Sequence, residues 1–253
     1  MSEAATIPAD PPPSGAGVAP PPPLEVRDVS LAYGGVKALH QVSFTAELGK
    51  ITCIMGRNGV GKTSLMRAVM GVLPVTGGTI KLLGTDLTKA PSYKRARAGI
   101  ALVPQGREIF PKLTVDQNLQ VALAARSDGV RTVPEDVLDL FPILRSMSKR
   151  MGGDLSGGQQ QQLAIARALT GNPKVLLLDE PTEGIQPNII QHIGEVLRLL
   201  VEKRGLTIVL VEQYLDFVKE FGHRFAIMDR GVFVANGPIA ELNQGLISRH
   251  LSV

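Results

Sequence analysis

The chain has 253 residues, which is enough for one large domain, or for one domain with a smaller subdomain. A hydrophobic content of 44% and a charged content of 20% are typical of a globular protein, and no apolar run approaches the roughly 18 residues that a membrane-spanning helix needs. The net charge of +4 is modest, and no arginine-rich arm, zinc-ligand spacing or RNA-binding aromatic motif supports a nucleic-acid-binding protein.

Residues 1–23 are dominated by Pro, Ala, Gly and Ser, so we expect a disordered tail there and a folded domain at residues 24–253. No basic region followed by an apolar one is visible at the N-terminus, and no secretory signal is predicted. The single cysteine, Cys53, lies in an apolar run and is interpreted as a buried structural thiol. One cysteine allows no disulfide within the chain, and a reducing, cytoplasmic location is expected.

Two strands are predicted at the start of the domain, at residues 24–31 and, with cleaner alternation, at 42–47. Tyr33 lies between them, before a Gly-Gly pair. An aromatic ring near a phosphate site can stack on a nucleotide base, although a single tyrosine before a turn is more often an ordinary half-buried side chain.

Residues 51–70 predict a strand, a glycine-rich loop and a helix, in that order. After an apolar run, Gly-Arg-Asn-Gly-Val-Gly at 56–61 leads into Lys62, Thr63 and Ser64 at the start of a helical pattern. Glycines let backbone N–H groups approach a phosphate closely, and the helix N-terminus adds further N–H groups and the positive end of its dipole. Lys62 offers a positive charge to the outer phosphates, Thr63 a hydroxyl to Mg²⁺ and Ser64 a hydroxyl to an inner phosphate. The stretch therefore predicts nucleotide binding.

Strands are predicted next at residues 79–83 and 100–103. Gln105 follows the second strand, and a glutamine at the end of a central strand faces the crevice where ligands bind in parallel α/β sheets. The basic cluster Lys-Arg-Ala-Arg at 94–97 could contact nucleic acid or lipid headgroups, but we interpret it as a solvated helix face.

Most of residues 107–170 are predicted to be helical. The capping-box spacing at 114–117 opens one helix, and Leu-Ser-Gly-Gly-Gln at 155–159 opens a longer one. Ser156 can cap that helix, with Gln159 three residues on. The glycines leave the backbone N–H groups exposed, which predicts a second anion-binding helix N-terminus rather than a merely flexible start.

A buried strand at 175–178 ends in two adjacent carboxylates, Asp179 and Glu180. Beside a phosphate site, Asp179 can hold Mg²⁺, directly or through water, and Glu180 can accept a proton from attacking water. An amphipathic helix is then predicted at 189–201 and another buried strand at 206–211. The last third predicts two short strands and a polar helical tail.

Four features stand in one order along the chain: GRNGVGKTS at 56–64, Gln105, LSGGQ at 155–159 and VLLLDE at 175–180. From about residue 24 to the C-terminus the chain therefore resembles the ATP-binding subunit of an ABC transporter, since ordinary phosphate-loop enzymes lack LSGGQ beside both nucleotide motifs. The resemblance implies an α/β fold: a phosphate-loop (RecA-like), mostly parallel core sheet, an N-terminal antiparallel β part and an α-helical signature subdomain at about 107–170. It also implies an ATPase that uses ATP and Mg²⁺.

The resemblance further implies a role for each matching residue. Tyr33 would stack on adenine, and the phosphate cradle would comprise Gly56, Asn58, Gly59, Gly61, Lys62, Thr63 and Ser64. The Mg²⁺ ligands would be Thr63, Gln105 and Asp179, and the catalytic residues would be Glu180 as general base, Gln105 and Gln213. In the family, the signature closes over the γ-phosphate of ATP bound to the opposite subunit. Two chains would thus sit head to tail around two ATPs, each offering Ser156, Gly157, Gly158 and Gln159 to its partner.

Two residues depart from the family pattern. In the family, the residue that senses the γ-phosphate, called the switch residue, follows a strand and its Glu and is usually histidine. Here it is Gln213, which can donate to the γ-phosphate but cannot carry an imidazolium charge. The loop after Pro181-Thr182 usually ends in aspartate, and here Gln186 stands at that place. The resemblance therefore supports the switch role and the charge contact across the dimer less directly than the other roles.

The sequences at 106–111, 181–187 and 212–217 resemble the branch of the family that serves urea and branched-chain amino acid importers, most closely the smaller ATPase of the bacterial urea importer. We expect an ATPase that powers urea import, with branched-chain amino acid import as the alternative. A soluble ABC ATPase acting on nucleic acid or ribosomes is a more distant alternative, because long coiled-coil insertions and tandem ATPase domains are absent from the sequence.

The same resemblance implies the partners. They are a second ATPase subunit, two membrane-spanning permease subunits and, indirectly, a periplasmic solute-binding protein. A heterodimer is expected in the cell and a homodimer is possible in isolation. The chain would be cytoplasmic and peripheral on the cytoplasmic face of the inner membrane, with no nucleic-acid partner.

Overall fold

A computed structural model describes residues 20–251, so residues 1–19 of the predicted tail and residues 252–253 lie outside the described residues. The strands are β1 (Leu24–Tyr33), β2 (Val36–Ala46), β3 (Ile51–Met55), β4 (Gly77–Leu82), β5 (Thr85–Asp86), β6 (Ile100–Val103), β7 (Val175–Asp179), β8 (Thr207–Val211), β9 (Arg224–Asp229) and β10 (Val232–Pro238). The α-helices are α1 (Lys62–Met70), α2 (Ser92–Ala98), α3 (Val115–Val121), α4 (Glu135–Leu140), α5 (Pro142–Ser146), α6 (Gly157–Thr170), α7 (Pro187–Arg204), α8 (Leu215–Phe221) and α9 (Gln244–His250).

The N-terminal strands form an antiparallel sheet with the order β2-β1-β4-β5. The apolar side chains Leu24, Val26, Val29 and Leu31 of β1 are buried, in two alternating pairs separated by an irregularity between Val26 and Val29. These residues pack with α1 and with one face of the second sheet in a single apolar cluster. The antiparallel sheet therefore covers the helix that follows the glycine-rich loop.

The second sheet has the order β10-β9-β3-β8-β7-β6 and is parallel from β9 to β6, with β10 antiparallel at one edge. All five residues of β3, β7 and β8 are buried, as expected for parallel strands that are covered on both faces. The carboxyl ends of β3, β6, β7 and β8 lie together along one end of the strands, which is where open parallel sheets bind ligands. The predicted α/β fold class, with its antiparallel N-terminal part and helical region, is confirmed.

The helices between residues 115 and 170 pack with α7 and α8 in the second apolar cluster, on the other face of the parallel sheet. Both predicted capping boxes form: Thr114 with Gln117 at α3, and Ser156 with Gln159 at α6. The subdomain limits at 107 and 170 stay a prediction. Among the helices of residues 20–251, none combines the length and hydropathy needed to cross a bilayer.

The interpretation of residues 94–97 as a solvated helix face is wrong for Arg95, which is only 2% exposed. Its guanidinium donates to the carbonyls of Ala68 and Val69 at 2.8 Å each, in the last turn of α1. It also donates to Ala90 O at 2.9 Å and Thr88 O at 2.8 Å. The last carbonyls of a helix lack partners within it, and Arg95 meets this need with a positive charge at the negative end of the helix dipole.

Arg95→Ala is expected to lower the free energy of unfolding by about 3 kcal/mol, because it removes a buried guanidinium that donates to four backbone carbonyls, of which Ala68 O keeps a bond from the Gly71 N–H. Urea unfolding measures this effect. Arg97→Ala on the same helix is the matched control, since Arg97 is exposed and its loss should change stability by less than about 0.5 kcal/mol. Equal effects of the two substitutions would contradict the capping role of Arg95.

Candidate active site

The loop between β3 and α1 has a backbone shape that requires glycine at two positions. Gly56 has φ 150° and Gly61 has φ 113°, in the region that side chains rarely adopt. A Cβ atom would lie 2.3 Å from Met228 O at Gly56 and 2.8 Å from Ala38 O at Gly61. The loop is thus held close to β9 and β2, and Gly61 is the N-cap of α1. The N–H groups at the start of this helix are available to an anion.

Lys62 is the first residue of α1 and its side chain is only 5% exposed. Its Nζ donates to Gly56 O at 2.7 Å and to Arg57 O at 2.8 Å, and lies 3.9 Å from Glu180 Oε1. Burial lowers the pKa of Lys62, and the negative charge of Glu180 opposes that shift. The ammonium group is therefore held under the loop, facing the carboxylate at the end of β7.

Asp179 and Thr63 bring two oxygen ligands together. Asp179 is 2% exposed, and its Oδ1 has no hydrogen-bond partner among the described residues. Burial raises its pKa, while a hydrogen bond with the Thr63 side chain opposes the shift. A buried carboxylate oxygen without a partner, beside a hydroxyl, suits a hard divalent cation.

The surroundings also suit Mg²⁺ rather than a cation held only by protein. Within residues 20–251, no cluster of three or more His, Cys, Asp or Glu side chains could hold a metal ion. Mg²⁺ commonly takes one or two carboxylates and completes its shell with phosphate and water oxygens. The donor set at Thr63 and Asp179 therefore fits a cation that arrives with a phosphate.

Glu180 follows β7 with φ 50°, a conformation that costs a non-glycine residue free energy and persists only where neighbours hold it. Its N–H donates to Val211 O at 2.9 Å. Its Oε1 accepts a hydrogen bond from Gln213 Nε2 at 2.5 Å, and its Oε2 accepts one from Gln105 Nε2 at 3.2 Å. Gln213 also donates to Asn58 Oδ1 at 2.7 Å. The predicted residues Glu180, Gln105, Gln213 and Asn58 thus meet, although they come from four loops.

Glu183 is a residue that the sequence reasoning missed. Its Oε2 accepts the Nε2 of Gln105 at 3.0 Å, so the amide of Gln105 lies between the carboxylates of Glu180 and Glu183. These bonds use the amide nitrogen and leave the carbonyl oxygen Oε1, the atom that can ligate a cation. The available signal was the position of Glu183 three residues after Glu180, in the same loop.

Apart from Gly56 and Asp179, these residues line a cleft of about 810 Å³, which is within the usual range for small-molecule sites. Tyr33 lies at its edge, 48% exposed, and its hydroxyl and Ser64 Oγ are 3.2 Å apart in a hydrogen bond. Val36 and Lys37 lie on the same side of the cleft. The cleft therefore joins the phosphate-loop residues to an aromatic ring that is accessible for stacking.

The residues of the predicted signature line a separate cavity of about 750 Å³. Ser156 Oγ accepts the N–H of Gln159 at 3.4 Å, and Gln159 Oε1 accepts the N–H of Ser156 at 2.9 Å. Gln186, which stands where the family usually has aspartate, lines the same cavity. One chain does not bring its own signature to its phosphate loop.

Comparison with known proteins gives consistent results. The family model described as ABC transporter matches residues 39–183. Over 220 residues the chain is 39% identical to the high-affinity branched-chain amino acid transport ATP-binding protein BraG of Pseudomonas aeruginosa, covering 87% of this chain and 94% of that protein. It is 36% identical over 220 residues to the probable branched-chain amino acid transport ATP-binding protein LivF of Archaeoglobus fulgidus, with coverage of 87% and 93%. It is 33% identical over 225 residues to the lipopolysaccharide export system ATP-binding protein LptB of Escherichia coli, with coverage of 87% and 92%.

Solved structures share the fold. A nucleotide-free ATP-binding cassette from an ABC transporter superposes with a TM-score of 0.76 at 26% identity, covering 91% of this chain and 95% of that one. A dimeric ATP-binding cassette in a post-hydrolysis state, bound to ADP and Pi, superposes with a TM-score of 0.78 at 25% identity, covering 85% and 98%.

Proposed function

This chain belongs to the ABC transporter family of ATP-binding proteins, and from that membership we propose that it is the ATP-hydrolysing subunit of an importer. The observation that carries the proposal is the meeting of Glu180 with Lys62, Gln105 and Gln213 at the end of the parallel sheet. A carboxylate, a buried ammonium group and two amides around one cleft are the groups that phosphoryl transfer to water needs.

In the proposed binding mode the phosphates of ATP lie on the loop between β3 and α1. Backbone N–H groups of this loop bond the phosphate oxygens, and the Lys62 ammonium contacts the outer phosphates. Ser64 Oγ bonds an inner phosphate, and the Tyr33 ring stacks on the adenine. The contact between Tyr33 and Ser64 supports this mode, because it places the base-stacking ring directly beside the loop.

In the proposed chemistry the Glu180 carboxylate accepts a proton from the water that attacks the γ-phosphate. The Nε2 of Gln213 contacts Glu180 Oε1, which supports a role for this amide beside the same phosphate, in the place of the usual histidine. Gln105 holds the other carboxylate oxygen and orients the general base. A Mg²⁺ ion held by Thr63, Gln105 and Asp179 would neutralise charge on the phosphate oxygens.

We propose that two ATPase subunits pair head to tail, with the signature of each closing the site of the other. The separate cavity lined by Ser156–Gln159 supports this arrangement, because it shares no lining residue with the phosphate-loop cleft of its own chain. A second, different ATPase subunit is the proposed partner in the cell. The dimeric cassette among the similar structures is consistent with pairing.

The proposed surface for a membrane permease subunit is an apolar groove of about 630 Å³, whose lining includes the residues at 108–110, shortly after Gln105. Phe110 and Val121 on its rim are each 44% exposed, and Arg167 lies over the Phe110 ring at 5.1 Å. Such a groove suits an amphipathic helix of a permease on the cytoplasmic face of the membrane. It would connect Gln105 mechanically to the transport path.

For the transported solute, we propose a branched-chain amino acid, on the strength of the identity to BraG and LivF over most of both chains. Urea is the second candidate. It is favoured by the resemblance of the loops at 106–111, 181–187 and 212–217 to the urea importer branch. A periplasmic solute-binding protein would deliver either solute.

Deletion of the gene is expected to abolish uptake of labelled leucine and to leave uptake of labelled urea unchanged. Return of the wild-type gene should restore uptake, and return of Glu180→Gln should not. Loss of urea uptake alone would support the proposed ATPase role and would make urea, not a branched-chain amino acid, the transported solute. If both uptakes persisted in the deletion strain, the importer proposal would have to be abandoned.

A further inference from the structure

Glu212 is a buried carboxylate that the proposed mechanism does not use. It follows β8 and is only 3% exposed. Burial raises its pKa, and the hydrogen bonds that it accepts from Thr182, Gln213 and Tyr214 oppose the shift. Burying a carboxylate costs free energy unless several donors satisfy it, so the donors show what the group holds in place.

The donors come from two loops. Oε1 accepts the Thr182 N–H at 3.2 Å and also the Thr182 hydroxyl. Oε2 accepts the N–H of Gln213 at 2.7 Å and the N–H of Tyr214 at 3.3 Å. One carboxylate thus joins the loop that carries Glu180 to the loop that carries Gln213.

The connection closes a ring of contacts around the general base. Thr182 is two residues after Glu180, and Gln213 reaches back to Glu180 Oε1 through its own Nε2. Glu180 has a left-handed backbone that neighbours must hold, and Gln213 is an exposed, neutral side chain on a loop. Without the carboxylate, the hydrogen bonds that link Glu180 and Thr182 to residues 211–214 would reduce to the side-chain bond between Gln213 and Glu180 and the backbone bond from Glu180 N–H to Val211 O.

We propose that Glu212 is a positioning residue for ATP hydrolysis, which fixes the loops of Glu180 and Gln213 relative to each other. The proposal rests on the proposed roles of Glu180 and Gln213. Loss of this restraint misplaces the proposed general base and the Gln213 amide, and a displacement of about 1 Å can cost about 10²-fold in rate.

Glu212→Gln keeps the side-chain volume but replaces one acceptor oxygen with an NH₂ group, which then faces donors. We expect kcat for ATP hydrolysis by the purified full-length chain to fall by about 10- to 100-fold, with ATP affinity changed less than about twofold. Steady-state hydrolysis and equilibrium binding of ATP measure the two quantities. A kcat within twofold of wild type would overturn the proposal.

A double-mutant cycle separates positioning from a general structural role. If Glu212 acts through Gln213, then Glu212→Gln added to Gln213→Ala should lower kcat little further, so the two effects should not add. Fully additive effects would show that Glu212 acts independently of Gln213, against the proposal. Near-normal hydrolysis by Glu180→Gln would instead remove Glu180 from the proposed general-base role on which this proposal rests, whatever Glu212→Gln does.

Thr182 supplies a second test that does not alter the buried charge. Thr182→Val removes the hydroxyl that Glu212 accepts and keeps the shape, so kcat should fall in the same direction as in Glu212→Gln. Thr182→Ser restores the hydroxyl and should restore most of kcat. If Thr182→Val and Thr182→Ser hydrolyse ATP equally fast, the bond between Thr182 and Glu212 does not contribute to the rate of hydrolysis, which would contradict the proposal.

Discussion

Glu180→Gln is expected to lower kcat for ATP hydrolysis by about 10²- to 10⁴-fold, which is the usual contribution of a general base. The amide has nearly the same shape as the carboxylate and keeps an acceptor oxygen, but it cannot take a proton from water. Because the substitution leaves Lys62 and the glycine-rich loop intact, ATP affinity should stay within a few-fold of wild type.

Steady-state phosphate release and equilibrium nucleotide binding check these two expectations. Glu183→Gln is the matched control: Glu183 also accepts a hydrogen bond from Gln105 in the same cleft, but no proton transfer is proposed for it. It should lower kcat by less than tenfold. Hydrolysis by Glu180→Gln at a rate close to that of wild type would remove Glu180 from the general-base role.

Lys62→Ala is expected to weaken ATP binding by about 10²-fold, because a charged hydrogen bond to phosphate contributes up to about 3 kcal/mol. The structure adds a second reason. With the ammonium group gone, Gly56 O and Arg57 O lose their donor, and the carboxylate of Glu180 faces the incoming phosphates without a cation between them.

Equilibrium titration with ATP measures the loss. Lys50→Ala is the matched control, since Lys50 precedes the opposite end of β3 and forms an exposed ion pair with Glu47 at 2.9 Å. Its removal should leave ATP affinity unchanged. Unchanged affinity in Lys62→Ala would contradict the phosphate-loop assignment.

The parts of the fold that the sequence predicts well are those with local signals. The strand at 51–55 and the helix after Gly61 coincide with β3 and α1, because an apolar run and a glycine-rich turn are readable within a few residues. The capping boxes at Thr114 and Ser156 form as predicted for the same reason. Their donors and acceptors lie three residues apart.

The parts that the sequence does not predict depend on residues distant in the chain. From its sequence neighbours, Arg95 is interpreted as a solvated charge. In the structure it is buried because α2 packs against the end of α1, where Arg95 contacts Ala68, 27 residues earlier in the chain. Gln213 contacts Glu180 across 33 residues, and Gln105 contacts Glu183 across 78. Each proposed catalytic residue could be chosen from its motif, but the residues that it contacts could not.

The strand order of the parallel sheet has a consequence for folding during synthesis on the ribosome. β3, which carries the glycine-rich loop, pairs on one side with β8 and on the other with β9. Both neighbours lie more than a hundred residues later in the chain, so during synthesis the mostly apolar strand β3 has two unpaired edges until β8 is available and one until β9 is available. Such edges invite pairing with other chains, and pairings this distant form slowly. A ligand that binds only the folded state stabilises only that state, so we expect ATP to stabilise the chain only after β8 and β9 have paired with β3.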